Sequence, residues 1–360
     1  MWFVFAVAAA FAWGAEEVFL KGGTDENDRL SHHRLTACRG FIMGLAGICL
    51  LPFSESGLPL PQLLSANKLF LLIPTMYAVS LMLANNTYRY LDASVNAPIQ
   101  GASGAFPPVI LVIWYFFAGK IGSIWDEVSV MDLVATAVII GASIGLAVIQ
   151  QKLADGDMKT ESGKSVKLGA LAFIFPVIFC LADATDTVLC GVMLDDQIGK
   201  GLGSFDYLIL YMFTFAAIGL ISWLRLMYAE KKPYNLFKKS EWKKNAGGLM
   251  ETIAQSVYVF GMAEKPTLVA PVIASYPIIS VFLSRIVLKE KLLSGQYACI
   301  AIVLAGILML GVSEGMKNRD EEHGSSTAVV QVYNAAEYRN SDSLCMTELP
   351  SSVSYITAEF

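Results

Sequence analysis

Five carboxylates stand inside otherwise apolar runs of this chain: Glu16, Glu17, Asp183, Asp186 and Glu251. On insertion scales an Asp at the centre of a membrane helix costs roughly 2.5–3.5 kcal/mol, so each of these groups needs a task. The tasks open to them are attraction of a cation and carriage of a proton. For Glu17 and Asp186 the alternative is snorkelling to the headgroup level. Glu16 and Asp183 are read as pointing elsewhere on their helices and lean further towards that alternative. Glu251 forms an i, i+4, i+7 polar stripe with Gln255 and Tyr258. Such a stripe belongs on an interior face, where it serves solute or proton binding or hydrogen-bonds a neighbouring helix. Further polar stripes run through Asn96, Gln100 and Ser103, through Tyr276, Ser280 and Ser284, and through Asn85 and Tyr88. No Lys or Arg is expected as deep as the acids. Trp13 reads as an interfacial anchor or packing residue.

Other chemistries lack their residues. The six cysteines show no metal-ligand spacing, and there is no nucleophile–base pair. The segment Gly199-Lys200-Gly201-Leu202-Gly203 reads as a loop and not as a phosphate-binding strand-to-helix turn. The expectation is no enzyme, no cofactor and no metal. His32 and His33 are read as solvated loop residues, and none of the three histidines is expected in a helix.

The elements that must position the acids are apolar helices. Hydrophobic residues make up 55% of the 360 and charged ones 16%, with mean hydropathy +0.55. A soluble domain carries about a quarter charged residues. Ten candidate spans run over 2–20, 36–53, 68–91, 94–119, 130–150, 168–191, 206–229, 245–263, 267–289 and 294–313, and the first reads as a retained helix, not a cleaved signal. Of the 26 Lys and Arg, nineteen fall on one set of loop ends, Arg39 and the run Lys231–Lys244 among them, against seven on the other. The positive-inside rule puts the richer side in the cytoplasm and both termini outside. The basic run is expected to be held by anionic lipid. Gly40 with Gly44, and Gly141 with Gly145, have the spacing of close helix crossings.

The chain echoes itself. Ser94-Val95-Asn96-Ala97-Pro98 is matched by Thr267-Leu268-Val269-Ala270-Pro271, and the segment around Glu17 by that around Asp186. An odd number of helices per half makes the repeat inverted, with a site between the halves near the midplane. The run Val269-Ala270-Pro271 through Tyr276-Pro277, Lys289-Glu290-Lys291 and Leu304-Ala305-Gly306-Ile307, with Trp13-Gly14 and Lys21 in the first half, resembles the EamA-type repeat of the drug/metabolite transporter superfamily. Lys120 stands where that repeat usually has an acid, and Ala298-Cys299 where it usually has a glycine. The resemblance implies a ten-helix basket, transport of small organic solutes, and cytoplasmic termini, opposite to the charge count.

The expectation is therefore an all-α integral membrane protein with about ten transmembrane helices as two inverted five-helix repeats. The repeats are 1–150 and 168–313, joined by a polar linker at 151–167 and followed by a disordered hydrophilic tail at 314–360. It is a multi-pass cell-membrane transporter, ATP-independent and working by alternating access on a cationic or zwitterionic solute, with proton coupling one option. The residues expected at the site are Glu17, Asp186, Glu251, Gln255, Tyr258, Asn85, Gln100, Ser103 and Tyr276. Solute and lipid are the expected partners, nucleic acid is not, and a homodimer stays open. The alternatives are a non-transporting membrane sensor or scaffold and, further off, a membrane-embedded enzyme.

Overall fold

A segment crossing hydrocarbon must pair its own backbone groups, and a helix does this within one stretch of chain. The computed structural model describes residues 1–25, 27–68, 70–89, 100, 103, 107–121, 129–154, 171–196, 201–289, 294–295, 297–310, 312–313 and 316, and these form helices and their links with no strand among them. The chain divides into two units, Met1–Gly311 and Val312–Phe360. All the helices that follow lie in the first. They are α1 Trp2–Gly23, α2 Ser31–Leu50, α3 Leu60–Ala66, α4 Leu72–Asn85 and α5 Pro107–Phe117. Next come α6 Val130–Ala154, α7 Leu171–Leu194, α8 Ser204–Glu230 and α9 Trp242–Glu264. The last are α10 Pro266–Ile273, α11 Tyr276–Val287 and α12 Tyr297–Leu310. Four stretches are long and apolar enough to cross a membrane: Trp2–Gly23, Ser31–Phe53, Ser204–Glu230 and Pro266–Val287. Asn96, Ala97-Pro98, Glu290 and residues 155–167 and 317–360 lie outside the described residues.

The bundle is apolar outside and polar inside, the reverse of a water-soluble domain. Phe117 is 82% and Leu72 70% exposed, and Leu181, Ile221, Ile286 and Leu308 are exposed with them. Asn85, Gln100, Ser103, Glu251, Gln255, Ser280 and Ser284 are buried. Such a surface belongs in lipid.

Two antiparallel pairs form the frame, α1 with α9 and α2 with α8; α4 packs on α7 and α5 on α10. The start of α1 meets the end of α9, where the Trp2 backbone N–H donates to Glu264 Oε2 at 2.6 Å. A carboxylate there suits the positive end of the helix dipole. The α2–α8 crossing is set by glycines. A Cβ on Gly40 would stand 2.5 Å from the Phe215 carbonyl oxygen and 2.6 Å from Gly219 Cα; one on Gly219 would stand 2.7 Å from Gly40 Cα. Backbone cannot yield there as a side chain can. Gly40→Val is expected to lower the thermal unfolding midpoint in detergent, in line with the ~1–3 kcal/mol cost of overpacking. Gly141→Val is expected to leave it unchanged, because nothing among the described residues lies within 4 Å of a Cβ there. The pairing of Gly141 with Gly145 thus makes no close crossing. Gly306 does, with a Cβ position 2.7 Å from Ile139 Cγ1.

The structure corrects several sequence expectations. α2 starts at Ser31, not 36, so His32 and His33 lie in its first turn, half-buried. The 267–289 span is broken at Ala274-Ser275 into α10 and α11. Pro277 has no N–H to donate, and its ring would meet the Ile273 carbonyl in a continuous helix.

The basic run is also split. Lys231, Lys232, Lys238 and Lys239 are exposed, but Lys244 is buried and its Nζ donates to Glu241 Oε2 at 2.5 Å. Tyr234 Oη donates to the same oxygen at 2.6 Å, and Trp223 Nε1 donates to the Tyr234 carbonyl at 2.9 Å. The loop between α8 and α9 is thereby pinned to the bundle. Burial alone would raise the Glu241 carboxyl, but the hydrogen bonds from Lys244, Tyr234 and Ser240 outweigh it and hold it below the ordinary value of 4.5. A depressed folded value means that the contribution is complete above the unfolded value and fades as pH falls through the folded one. Hydrogen-exchange protection across 234–244 is expected to be flat from neutrality to about pH 5 and to fall below 4.5, the ordinary carboxyl value. Glu241→Gln is expected to remove that acid step.

Candidate functional site

α1 presents Trp13, Glu16 and Glu17 at i, i+3 and i+4. α7 presents Phe179, Asp183, Asp186 and Thr187 at i, i+4, i+7 and i+8, a single stripe. α9 adds Glu251, Gln255 and Tyr258. These faces meet around a cavity of about 50 Å³, lined also by Arg39 of α2, Tyr77 and Leu81 of α4, Tyr88, Gln100, Ser103, Tyr211 of α8, and Ala270, Ile273, Ala274 and Tyr276 at the α10–α11 break. Eight of the nine sequence-predicted site residues line it: Glu17, Asp186, Glu251, Gln255, Tyr258, Gln100, Ser103 and Tyr276. Asn85 does not. It is fully buried beside the cavity, and its side-chain atoms make no hydrogen bond among the described residues.

Each acid has its own partner. Arg39 Nη2 donates to Glu16 Oε1, and both side chains are buried. Tyr88 Oη donates to Glu17 Oε2 at 2.5 Å, and Trp13 Nε1 to Glu251 Oε2 at 2.7 Å. Ser103 Oγ donates to Asp183 Oδ2, and Tyr211 Oη to Asp186 Oδ2 at 3.4 Å. Among the described residues, Asp186 Oδ1, Gln255 Nε2 and Arg39 Nε are buried polar atoms of the lining without a hydrogen-bond partner. A polar guest with donor and acceptor groups would meet that set.

Two expectations are overturned here. A basic group does lie as deep as the acids: Arg39 is 1% exposed. It is no loop-end charge, because α2 starts five residues earlier than the hydropathy boundary suggested, which carries Arg39 into the third turn. Glu16 and Asp183 do not point away from the others. Asp183 is three residues before Asp186 and shares its face, a relation the spacing alone contained. Glu16 has an interior neighbour because α1 and α2 both pack on α9, which lets Arg39 of α2 reach Glu16 of α1. Of the two readings of Trp13, anchor or packing residue, the structure has the second. Its ring packs against those of Tyr258 and Tyr276, with centroids at 5.2 and 6.4 Å.

Trp13–Glu251 and Ser103–Asp183 join residues of 1–150 to residues of 168–313, so the cavity takes its polar groups from both stretches.

Residues 197–312 match the model of the EamA-like transporter family. A comparison with curated proteins finds no match. One solved structure, titled only as the crystal structure of a protein, is 11% identical, with a TM-score of 0.52 over 85% of this chain and 94% of its own. At that identity the likeness speaks for the fold alone. The chain is a helical membrane protein whose residues 197–312 are similar to the EamA-like transporter family.

Proposed function

We propose that the protein is a secondary transporter that moves a small organic solute, cationic or zwitterionic, across the cell membrane by alternating access, coupled to protons. The observation that carries this is the polar cavity, built from both halves inside a bundle with an apolar surface. A scaffold has no need to bury five carboxyls and one guanidinium around a shared space, since buried ionic groups cost more than well-packed apolar ones. The nine residues named from the sequence are the proposed solute- and proton-handling set, joined by Glu16, Asp183 and Arg39.

The proposed frame is ten spans in two inverted five-helix repeats, 1–150 and 168–313. Helix pairing supports it. The first helix of each half packs on the third of the other, as α1 on α9 and α7 on α4. The second helices pair with each other, antiparallel, and the fourth helices are in contact as α5 with α10. A two-fold axis in the membrane plane produces that pattern. The break between α10 and α11 at the cavity supports a midplane site of the discontinuous-helix type. A space of about 50 Å³ is small for an organic solute, so the proposed cycle requires the helices around it to part.

The test is flux of a panel of labelled organic cations, zwitterions and anions into proteoliposomes, with and without an imposed proton gradient. Cations or zwitterions are expected to move, faster with the gradient. No flux for any solute that binds the purified protein would make it a sensor and sink the transport reading.

A further inference from the structure

The helices that carry the central cavity also line a second one. It has a volume of about 260 Å³, and Lys120, Gly191, Asp195, Met262 and Pro266 are among its lining. Three helices fix its place. Thr187, Tyr258 and Ala270 line the central cavity. Gly191 and Met262 follow the first two by four residues, Pro266 precedes the third by four, and all three line the outer cavity. Four residues make about one helical turn, a rise of about 6 Å. Each step leads towards the face where α1 begins, since Met262 is two residues from Glu264, which accepts from the Met1 ammonium and the Trp2 N–H. A layer of side chains gathered on Gly191 lies at this step. A Cβ there would stand 3.0 Å from Leu111 Cδ2, 3.1 Å from Pro266 Cβ and 3.4 Å from Met262 Cε. The opposite mouth is built differently. Past Glu17, the side chains of Leu20, Leu35 and Tyr88 are buried together. Lys21 Nζ donates to the Tyr88 carbonyl at 2.9 Å, and Tyr88 Oη to Glu17 at 2.5 Å.

Building on the reading of the central cavity as a solute site, we infer that solute reaches it through the outer cavity, from the face where α1 begins, and that Gly191 and Met262 govern the passage. The side chains on Gly191 are apolar, so drawing them apart breaks no ion pair, whereas parting the opposite mouth breaks the buried Tyr88–Glu17 hydrogen bond. Met262 is the adaptable member of the layer, an unbranched thioether with three rotatable bonds beside a branched Leu111 and the ring of Pro266. The bare Cα of Gly191 leaves room for that side chain to move, and a Val there would fill it. Farther out, Lys120 pairs with Asp195 and lies 4.5 Å from the Tyr115 ring centroid. That pair joins residues of 1–150 to residues of 168–313 at the rim of the passage. The Lys120 side chain is 28% exposed, so water takes over its charge when the pair parts.

The experiment is sided thiol labelling of the full chain carrying Thr187→Cys, a cavity-lining position, in membrane vesicles. The reagent is a membrane-impermeant quaternary-ammonium methanethiosulfonate, and labelling is counted above that of the chain without the substitution. Leu58→Cys marks the face where α1 begins and Lys238→Cys the opposite one, both at exposed positions. Labelling at 187 is expected to be at least about tenfold faster from the Leu58 face than from the Lys238 face. Met262→Ala is expected to speed it from the Leu58 face and Gly191→Val to slow it, with the rate from the other face unchanged. A packing role alone would not move the two variants in opposite directions on one face. If Gly191→Val does not fold, Gly191→Ala takes its place, and Met262→Ala stands without either. Labelling that is equal from both faces, faster from the Lys238 face or absent from both overturns the inference. So do unchanged rates in the folded variants. Labelling from the Leu58 face without flux of any solute would sink the transport reading and leave the route standing. Flux with labelling from the Lys238 face alone would do the reverse.

Discussion

Glu251→Gln is expected to cut solute flux in proteoliposomes at least about tenfold and to flatten its pH dependence, while the protein folds normally. The substitution keeps size and shape, and the amide oxygen still accepts from Trp13 Nε1, as Glu251 Oε2 does at 2.7 Å. What it removes is the charge of a carboxyl that lines the cavity. Two unit charges about 4 Å apart attract by roughly 4 kcal/mol at an effective dielectric of ~20. A tenfold loss is only about 1.4 kcal/mol of that, so the expected effect is a lower bound. Flux and pH profile both unchanged in a variant of normal melting temperature would remove Glu251 from the mechanism.

Arg39→Leu is expected to be among the most destabilising single changes in the chain, by about 3–5 kcal/mol, the usual cost of stranding one member of a buried ion pair. The pair lies in the interior, with side-chain exposures of 2% for Arg39 and 7% for Glu16, so solvent does little to soften the loss. Changing both members is expected to recover most of the stability, because well-packed apolar groups commonly match or better a buried pair. Thermal unfolding of Arg39→Leu and of Arg39→Leu with Glu16→Leu reads both effects. A single variant as stable as the wild type would show that the pair contributes nothing. A double variant as unstable as the single one would assign the loss to Arg39's packing and not to the stranded carboxyl.

Much of the frame was legible along the chain because lipid imposes one rule on every span. Apolar runs of about twenty residues marked helices such as Trp2–Gly23 and Ser204–Glu230, since nothing else satisfies a backbone in hydrocarbon. Helical spacing was equally informative wherever the whole stripe was polar. Glu251, Gln255 and Tyr258 line the cavity together because three such groups on one face have no stable place in lipid. Boundaries were harder. Hydropathy starts α2 at 36 because Ser31-His32-His33-Arg34 is polar, yet the helix includes that turn. Arg39 thereby moved from a membrane edge to the interior.

The sequence by itself determined that this is a helical membrane protein with an unusual number of acids in its apolar runs, because composition and periodicity are local properties. Only the tertiary structure decided which of those acids meet. Glu16, Glu17, Asp183, Asp186 and Glu251 come from three helices far apart in the chain, and all five line one cavity with Arg39. Their shared surroundings follow from helix crossings such as Gly40 on Gly219. A crossing depends on which surfaces fit, and that property belongs to pairs of helices, not to either one.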